Sequence, residues 1–271
     1  MKLASFFESH LNVIQVRLTQ VRGSSPREVG AEMFVAETAL HGTIGGGQLE
    51  YMAIDKARAM LRTDADFAGM DVPLGPEIGQ CCGGRVTLDL DRMTDADRAT
   101  ALVSDAQDHA ARPHVYILGA GHVGRALARF FQFLPVRCVL IDIRTEELSL
   151  VDATVEKRLS VMPEADIRAA PPASAFIVLT HDHALDFLLT SEALDRGDAA
   201  YVGMIGSATK RAKFKRFHKT QPSPSDSAGL VCPMGATAST DKRPEIIAAL
   251  IVAEVMTALT VTTHQITESV G

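Results

Sequence analysis

The chain has no tryptophan, an absence that by itself excludes nothing, and only four cysteines in 271 residues. Four cysteines in a chain of this length do not make a disulfide framework, so the thiols are expected free, as in a reducing compartment. There is no surplus of positive charge: 27 basic against 33 acidic side chains leave a formal charge of −6. That excludes the broad basic face of a general nucleic-acid binder. Residues 1–10 hold no long apolar stretch, which argues against a secretory signal. No uncharged apolar run approaches the length of a membrane span. These absences together lead to the expectation of a cytoplasmic protein with neither membrane nor nucleic acid among its partners.

A hydrophobic fraction of 46% and a charged fraction of 22% belong to a globular protein, and the length suits two domains with a sizeable core. Ile14, Val16 and Leu18 alternate with polar residues, so residues 12–21 read as a strand, and residues 31–36 and 85–90 as two more. Thr94-Asp95-Ala96-Asp97 has the spacing of a capping box, with Asp in the last place. The helix it opens sets Ala96, Ala99, Val103, Ala106 and Ala110 on one face and ends before Pro113. It serves as the connector between a mixed domain, 1–111, and a second domain, 112–271. From His114 the pattern becomes strand, helix, strand, helix, with strands at 115–118, 136–141, 175–179 and 200–205. Such alternation predicts an α/β domain with a parallel sheet and helices on both faces. Pro244 fits the first turn of a last helix whose Ile246, Ile247, Leu250, Ile251, Val255, Met256 and Leu259 cover much of its circumference. Large burial of that helix is expected.

Two glycine-rich segments are candidates for holding phosphate. Gly119-Ala120-Gly121-His122-Val123-Gly124 follows an apolar strand and opens an amphipathic helix, and Asp142 lies at the end of the next strand. That is the context in which Gly-x-Gly-x-x-Gly binds a dinucleotide. Gly119 permits the tight turn, Gly121 lets a phosphate approach the backbone, and Gly124 allows close helix packing. The second segment, Gly42-Thr43-Ile44-Gly45-Gly46-Gly47-Gln48, could form a backbone nest for an anion, with Arg27 adding a charged contact. A simple turn between strand and helix fits it equally.

Cys81-Cys82 sits between glycines in Gly79-Gln80-Cys81-Cys82-Gly83-Gly84. Thiolates are ligands for soft metals and nucleophiles in sulfur exchange, whereas two small buried residues beside a turn would be inert. Without Cys-x-x-Cys pairs this is not a zinc site. Cys138 lies in an apolar strand and is assigned to the core. His181-Asp182-His183 follows a strand, where its side chains would face a crevice as ligands or proton carriers. Bonding of this loop to its own helix start is the competing reading. Residues 210–219 hold six basic side chains, either a solvated helix face or a docking patch.

Taken together, Gly23-Ser24-Ser25-Pro26-Arg27, Gly42 to Glu50 and Cys81-Cys82-Gly83-Gly84 resemble the N-terminal domain of the XdhC/CoxI family of xanthine dehydrogenase accessory proteins. The Gly119–Gly124 strand–loop–helix, Thr180-His181-Asp182-His183-Ala184-Leu185-Asp186 and Tyr201 to Ser207 resemble its C-terminal Rossmann domain. The resemblance implies a chaperone rather than an enzyme of its own. Such a protein binds the molybdenum cofactor in its molybdopterin form and protects it. With a cysteine desulfurase as partner it supports sulfuration, and it delivers the cofactor to apo xanthine dehydrogenase. On that reading Arg27, Gly45, Gly46, Gly47, Gln48, Gly119, Gly121, Gly124, Asp142 and His181 contact cofactor, and Cys81 and Cys82 approach the metal. A separate nucleotide in the Rossmann cradle and a homodimer are further expectations. The alternative is an NAD-dependent oxidoreductase that uses Asp142 for ribose and His181 or His183 as proton carrier. The stretch from Ala236 to Lys242 and the residues after Ser207 depart from the family pattern.

Overall fold

The structure, a computed structural model, describes residues 2–76, 83–221, 225–236 and 239–269, with side chains described up to residue 261. The chain divides into two compact units, Met1–Ala110 and Ala111–Gly271.

The first unit runs α1 (Leu3–Ser9), β1 (Ile14–Arg22), β2 (Glu32–Val35), β3 (Leu40–Gly42), α2 (Gly47–Thr63), β4 (Phe67–Pro73), β5 (Arg85–Arg92) and α3 (Asp95–Ala111). Its antiparallel sheet has the order β3-β2-β1-β5-β4. Ile14, Val16 and Leu18 point to one face, where Leu49, Ala53, Ala57 and Met60 of α2 pack on them. Each large side chain buried there contributes about 1.5–3 kcal/mol. The register against β5 slips between Leu18 and Gln20, leaving Thr19 as a bulge. The bulge resets the two-residue alternation, so Val21 pairs with Val86 instead of turning outward. On the other face, Phe6 and Phe7 of α1 meet Phe34 and Met93.

The capping box forms as its spacing predicts: the Thr94 N–H donates to Asp97 Oδ2 at 2.8 Å and the Asp97 N–H to Thr94 Oγ1 at 3.2 Å. The face on which the small apolar residues recur at helical spacing stays exposed. Ala96, Ala99, Ala106 and Ala110 are open to solvent and Val103 is 57% exposed, while Leu102 leans on the α1 cluster. Alanines lose little by remaining in water, so the packed side is decided by the one leucine.

The second unit runs β6 (His114–Leu118), α4 (His122–Phe131), β7 (Arg137–Asp142), α5 (Thr145–Ser149), β8 (Glu156–Leu159), α6 (Pro163–Ala169), β9 (Ala175–Val178), α7 (His183–Asp195), β10 (Tyr201–Met204), α8 (Ala208–His218), β11 (Leu230–Val231) and α9 (Pro244–Ser269). All neighbouring strands are parallel, in the order β11-β10-β9-β6-β7-β8. Counted within the unit this is 3-2-1-4-5-6, the doubly wound dinucleotide-binding order, and the direction of winding reverses between β6 and β9. Val115, Ile117, Cys138 and Leu140 face α4 and α9, while Tyr116, Leu118, Val139 and Ile141 face α6, α7 and α8. Both sheet faces are covered, which is why these strands read as continuous apolar runs.

Helix α9 is less buried than its composition suggests. Ala248, Ile251, Val255 and Leu259 form one packed stripe against the unit's core, and Ala249, Ala253, Thr257 and Thr260 lie exposed. The stretch Pro244–Val261 is long and apolar enough, by length and composition, to cross a membrane, although it carries Glu245 and Glu254. Glu254 binds inside the unit: its Oε1 accepts from the Tyr201 hydroxyl at 2.5 Å and its Oε2 from the Gly235 N–H at 3.1 Å.

Candidate functional site

The switch point between β6 and β9 forms a narrow cleft at the carboxyl ends of the strands. Leu118, Gly119, Asp142, Pro163, Thr180 and His181 are among the residues that line it. The inner cleft holds about 10 Å³, room for one water. Three glycines divide the labour around it. A Cβ on Gly119 (φ 126°) would lie 2.4 Å from the Leu179 carbonyl oxygen, so the turn after β6 rests directly on the turn after β9. A Cβ on Gly124 would lie 1.9 Å from the Gly119 carbonyl oxygen, so only glycine lets α4 start this close to the strand end. Gly121, the N-cap of α4, would meet nothing within 4 Å. It directly precedes the first turn of α4, whose amides have no partner within the helix and carry its positive end. This is the part of the loop where an anion can reach the backbone.

Asp142 closes β7 and is buried, and both carboxylate oxygens are engaged. Oδ2 accepts the Ala120 N–H at 2.7 Å and Arg144 Nη2 at 3.2 Å; Oδ1 accepts the Arg144 N–H at 2.9 Å and Arg144 Nε at 3.1 Å. Burial pushes this carboxyl up, but the Arg144 guanidinium and the two amides outweigh it and hold it below the usual carboxylate range. The brace continues outward: Arg125 donates to the Ala120 carbonyl at 2.8 Å and to Glu147 at 2.6 Å, and Arg144 lies 3.6 Å from Glu147. Arg125, Arg144 and Glu147 were not foreseen from the sequence, where no motif singles them out. They surround the acid that the ribose reading relies on, and a ribose diol would have to compete with these donors.

On the β9 side, Asp182 is the N-cap of α7 and accepts the Ala184 N–H at 2.7 Å, the bonding of loop to helix start anticipated as the competing reading. His181 lines the cleft and is exposed; His183 opens α7, also exposed. Lys210 departs from the solvated-face reading of the basic segment. Its ammonium turns inward to the fully buried Asp186, while Lys213, Arg216 and Lys219 remain exposed.

In the first unit three motif segments converge. Ser24 bridges to Gly83, and a Cβ on Gly84 would lie 2.0 Å from the Ser24 carbonyl oxygen. A Cβ on Gly45 would lie 2.7 Å from Pro26 Cγ and 3.2 Å from Arg27 Cγ, so the turn carrying Arg27 rests on the glycine loop. Gly45, Gly46 and Gly47 all adopt positive φ, 122°, 77° and 65°. The anion nearest this loop is the chain's own: Glu50 Oε2 accepts the Gly46 N–H at 2.7 Å and the Thr43 hydroxyl at 2.8 Å, and the Gly45 N–H donates to Thr43 Oγ1 at 3.1 Å. Gln48 follows in the first turn of α2. Cys81 and Cys82 lie outside the described residues, directly ahead of Gly83 in the chain. Among the described residues no three His, Cys, Asp or Glu side chains are grouped as a metal site. Cys138 is inert by position, since burial pushes its thiol up to about 12.

A doubly wound parallel unit with a glycine cradle at its switch point, preceded by an antiparallel unit with a triple-glycine loop, defines the class. Residues 115–255 match the family of the XdhC Rossmann domain, and residues 7–67 match the XdhC and CoxI family. The chain belongs to the XdhC/CoxI family. It is 25% identical over 267 residues to the uncharacterized protein YqeB of Escherichia coli (strain K12). That alignment takes in 93% of this chain and 44% of the relative, so the chain spans less than half of the relative's length. A crystal structure of a xanthine dehydrogenase from Bacillus halodurans superimposes with a TM-score of 0.78 at 18% identity, covering 96% of each chain. At that identity the likeness shows the fold.

Proposed function

We propose that this protein is an accessory factor for xanthine dehydrogenase that binds the molybdenum cofactor in its molybdopterin form, protects it, and inserts it into the apo-enzyme. A cysteine desulfurase is the partner for sulfuration on this reading. The observation that carries it is the open face of Gly121, set between two closed glycines at the start of α4, in a chain of this family. A phosphate monoester fits that face: free amides and a positive helix end attract it, and no side chain fills the space. When bound, the group would supply a metal held by a dithiolene. For it the second unit offers the anion cradle of Gly119, Gly121 and Gly124 with its brace of Asp142 and Arg144, and the first unit, taken by itself, offers the thiols Cys81 and Cys82 next to Gly83. Arg27 and the Gly45–Gly47 loop form a second candidate contact, available to a ligand anion once Glu50 gives way.

Protein purified without oxygen should carry molybdenum and pterin in near-equal amounts, measured by elemental analysis and by fluorescence of the oxidised pterin. Cys81→Ala and Cys82→Ala should reduce the loading. Reconstitution with excess molybdopterin that leaves the protein free of both sinks the proposal.

The strand order and the position of Asp142 favour a second reading, nicotinamide-dependent oxidation. Calorimetry with NAD distinguishes the two. Tight NAD binding with hydride turnover would support the second reading, and absence of binding disposes of it.

A further inference from the structure

Asp186 and Lys210 belong to neither the cradle nor the basic docking face, yet they are the most deeply buried ion pair in the described second unit. Asp186 is fully buried and the Lys210 side chain is 11% exposed. The two residues come from different helices, α7 and α8, 24 positions apart. Lys210 reaches Asp186 by running past Gly206, where a Cβ would lie 2.5 Å from Lys210 Cδ. Gly206 (φ 155°) therefore leaves the channel that the lysine uses. Asp186 Oδ2 takes the ammonium, and Oδ1 takes both donors of Thr180, the N–H at 2.8 Å and the hydroxyl at 2.7 Å. Thr180 in turn lines the cleft beside His181, and its Cα would stand 3.1 Å from a Cβ on Gly119.

We propose that the Asp186–Lys210 pair is a positioning device, which holds Thr180 and His181 in place against the phosphate cradle. The inference rests on the reading that the cleft holds the cofactor's phosphate end. Neither member of the pair lines the cleft, so both act through Thr180. Lys210 fixes the carboxylate in one orientation, the carboxylate fixes the loop after β9, and that loop supports the turn of Gly119. A carboxylate gripped from both sides in a buried setting has no second arrangement to adopt, which is what a rigid rim for a transferred ligand requires.

A buried pair can also serve stability alone, and removing one partner strands the other charge. The test therefore uses the full-length chain in three forms: wild type, Lys210→Met, and Asp186→Asn with Lys210→Met. The double variant leaves no lone buried ion and keeps an acceptor oxygen near Thr180, but without a tether. Isolated molybdopterin is the probe, titrated without oxygen. Thermal unfolding and hydrogen exchange of the Thr180 amide are followed in parallel. Lys210→Met should bind at least tenfold more weakly and exchange the Thr180 amide faster. The double variant should recover most of the melting temperature yet stay at least tenfold weaker in binding, with fast exchange. Wild-type affinity in the double variant, or in Lys210→Met, makes the pair purely structural and overturns the inference while leaving the cleft reading intact. If Lys210→Met does not fold, the double variant decides. A wild-type chain that binds no molybdopterin overturns both.

Discussion

One methyl group placed on Gly121 and, separately, on Gly124 separates the ligand face of the cradle from its packing face. At Gly124 the new Cβ would stand 1.9 Å from the Gly119 carbonyl oxygen, against 3.4 Å for the start of ordinary contact, so backbone must yield by about 1.5 Å. Overpacking of this kind costs about 1–3 kcal/mol, and a backbone oxygen cannot rotate aside, so about 3 applies. Alanine returns about 1 kcal/mol in helix propensity. The net loss is about 2 kcal/mol, a fall in melting temperature of about 4–8 °C for a unit of this size. At Gly121 the Cβ meets nothing and φ is −65°, which any residue adopts. Losing glycine as N-cap costs about 0.5–1 kcal/mol. Stiffening the unfolded chain returns about 0.4–1 kcal/mol, so stability should stay within about 0.5 kcal/mol of wild type. The methyl nevertheless occupies the space a phosphate needs. Molybdopterin binding by Gly121→Ala should fall at least tenfold, a change of about 1.4 kcal/mol. Calorimetric unfolding and anaerobic titration on the same preparations read both quantities. Gly124→Ala melting with wild type would refute the steric argument. Gly121→Ala binding as wild type would refute the placement of the phosphate.

Three other outcomes are expected. Tyr201→Phe leaves Glu254 Oε1 without its donor and should cost about 1–3 kcal/mol in denaturant unfolding; an unchanged midpoint would show that the bond contributes nothing. Asp142 is held below the usual carboxylate range when folded, so its contribution is complete at neutral pH and is lost as pH falls through the folded value. Asp142→Asn should therefore destabilise the protein at pH 7 and make progressively less difference in acid, as read from unfolding at pH 7 and pH 3. Cys138 should resist alkylation in the native protein at pH 7.5 and react only after denaturation, as followed by mass spectrometry; rapid native labelling would contradict its burial.

The parts of the fold that were legible in the sequence are those where pattern and packing agree. The run from Val115 through Gly124 to Asp142 has apolar strands, a fingerprint loop and one clean helical face, and it folds as that pattern implies. Short edge elements such as β3 and β11 were not legible, because three or two residues carry no period. The exposed face of α3 shows the limit of helical spacing: alanines at the right intervals match a buried face without the volume to demand one. Lys210 shows another limit. Within six basic residues it reads as solvated, and only the spatial neighbourhood of Asp186, set by two helices and a glycine, reveals that it is internal. The chemistry of Asp142 was half legible. Its place at a strand end follows from spacing, but the four donors already upon it come from Ala120 and Arg144, whose roles depend on the folded loop.

The clasp on Glu254 has a consequence for where the chain can be cut. A fragment ending near residue 250 would keep only the first two turns of α9 and lose the carboxylate that fastens it, together with Ile251, Val255 and Leu259. The Tyr201 hydroxyl and the Gly235 amide would lose their acceptor, and the core that Ile251, Val255 and Leu259 share with α4 would open to water. Among the described residues the packed stripe of α9 runs on through Val255 to Leu259, so the carboxylate clasp sits inside the stripe and not at its edge.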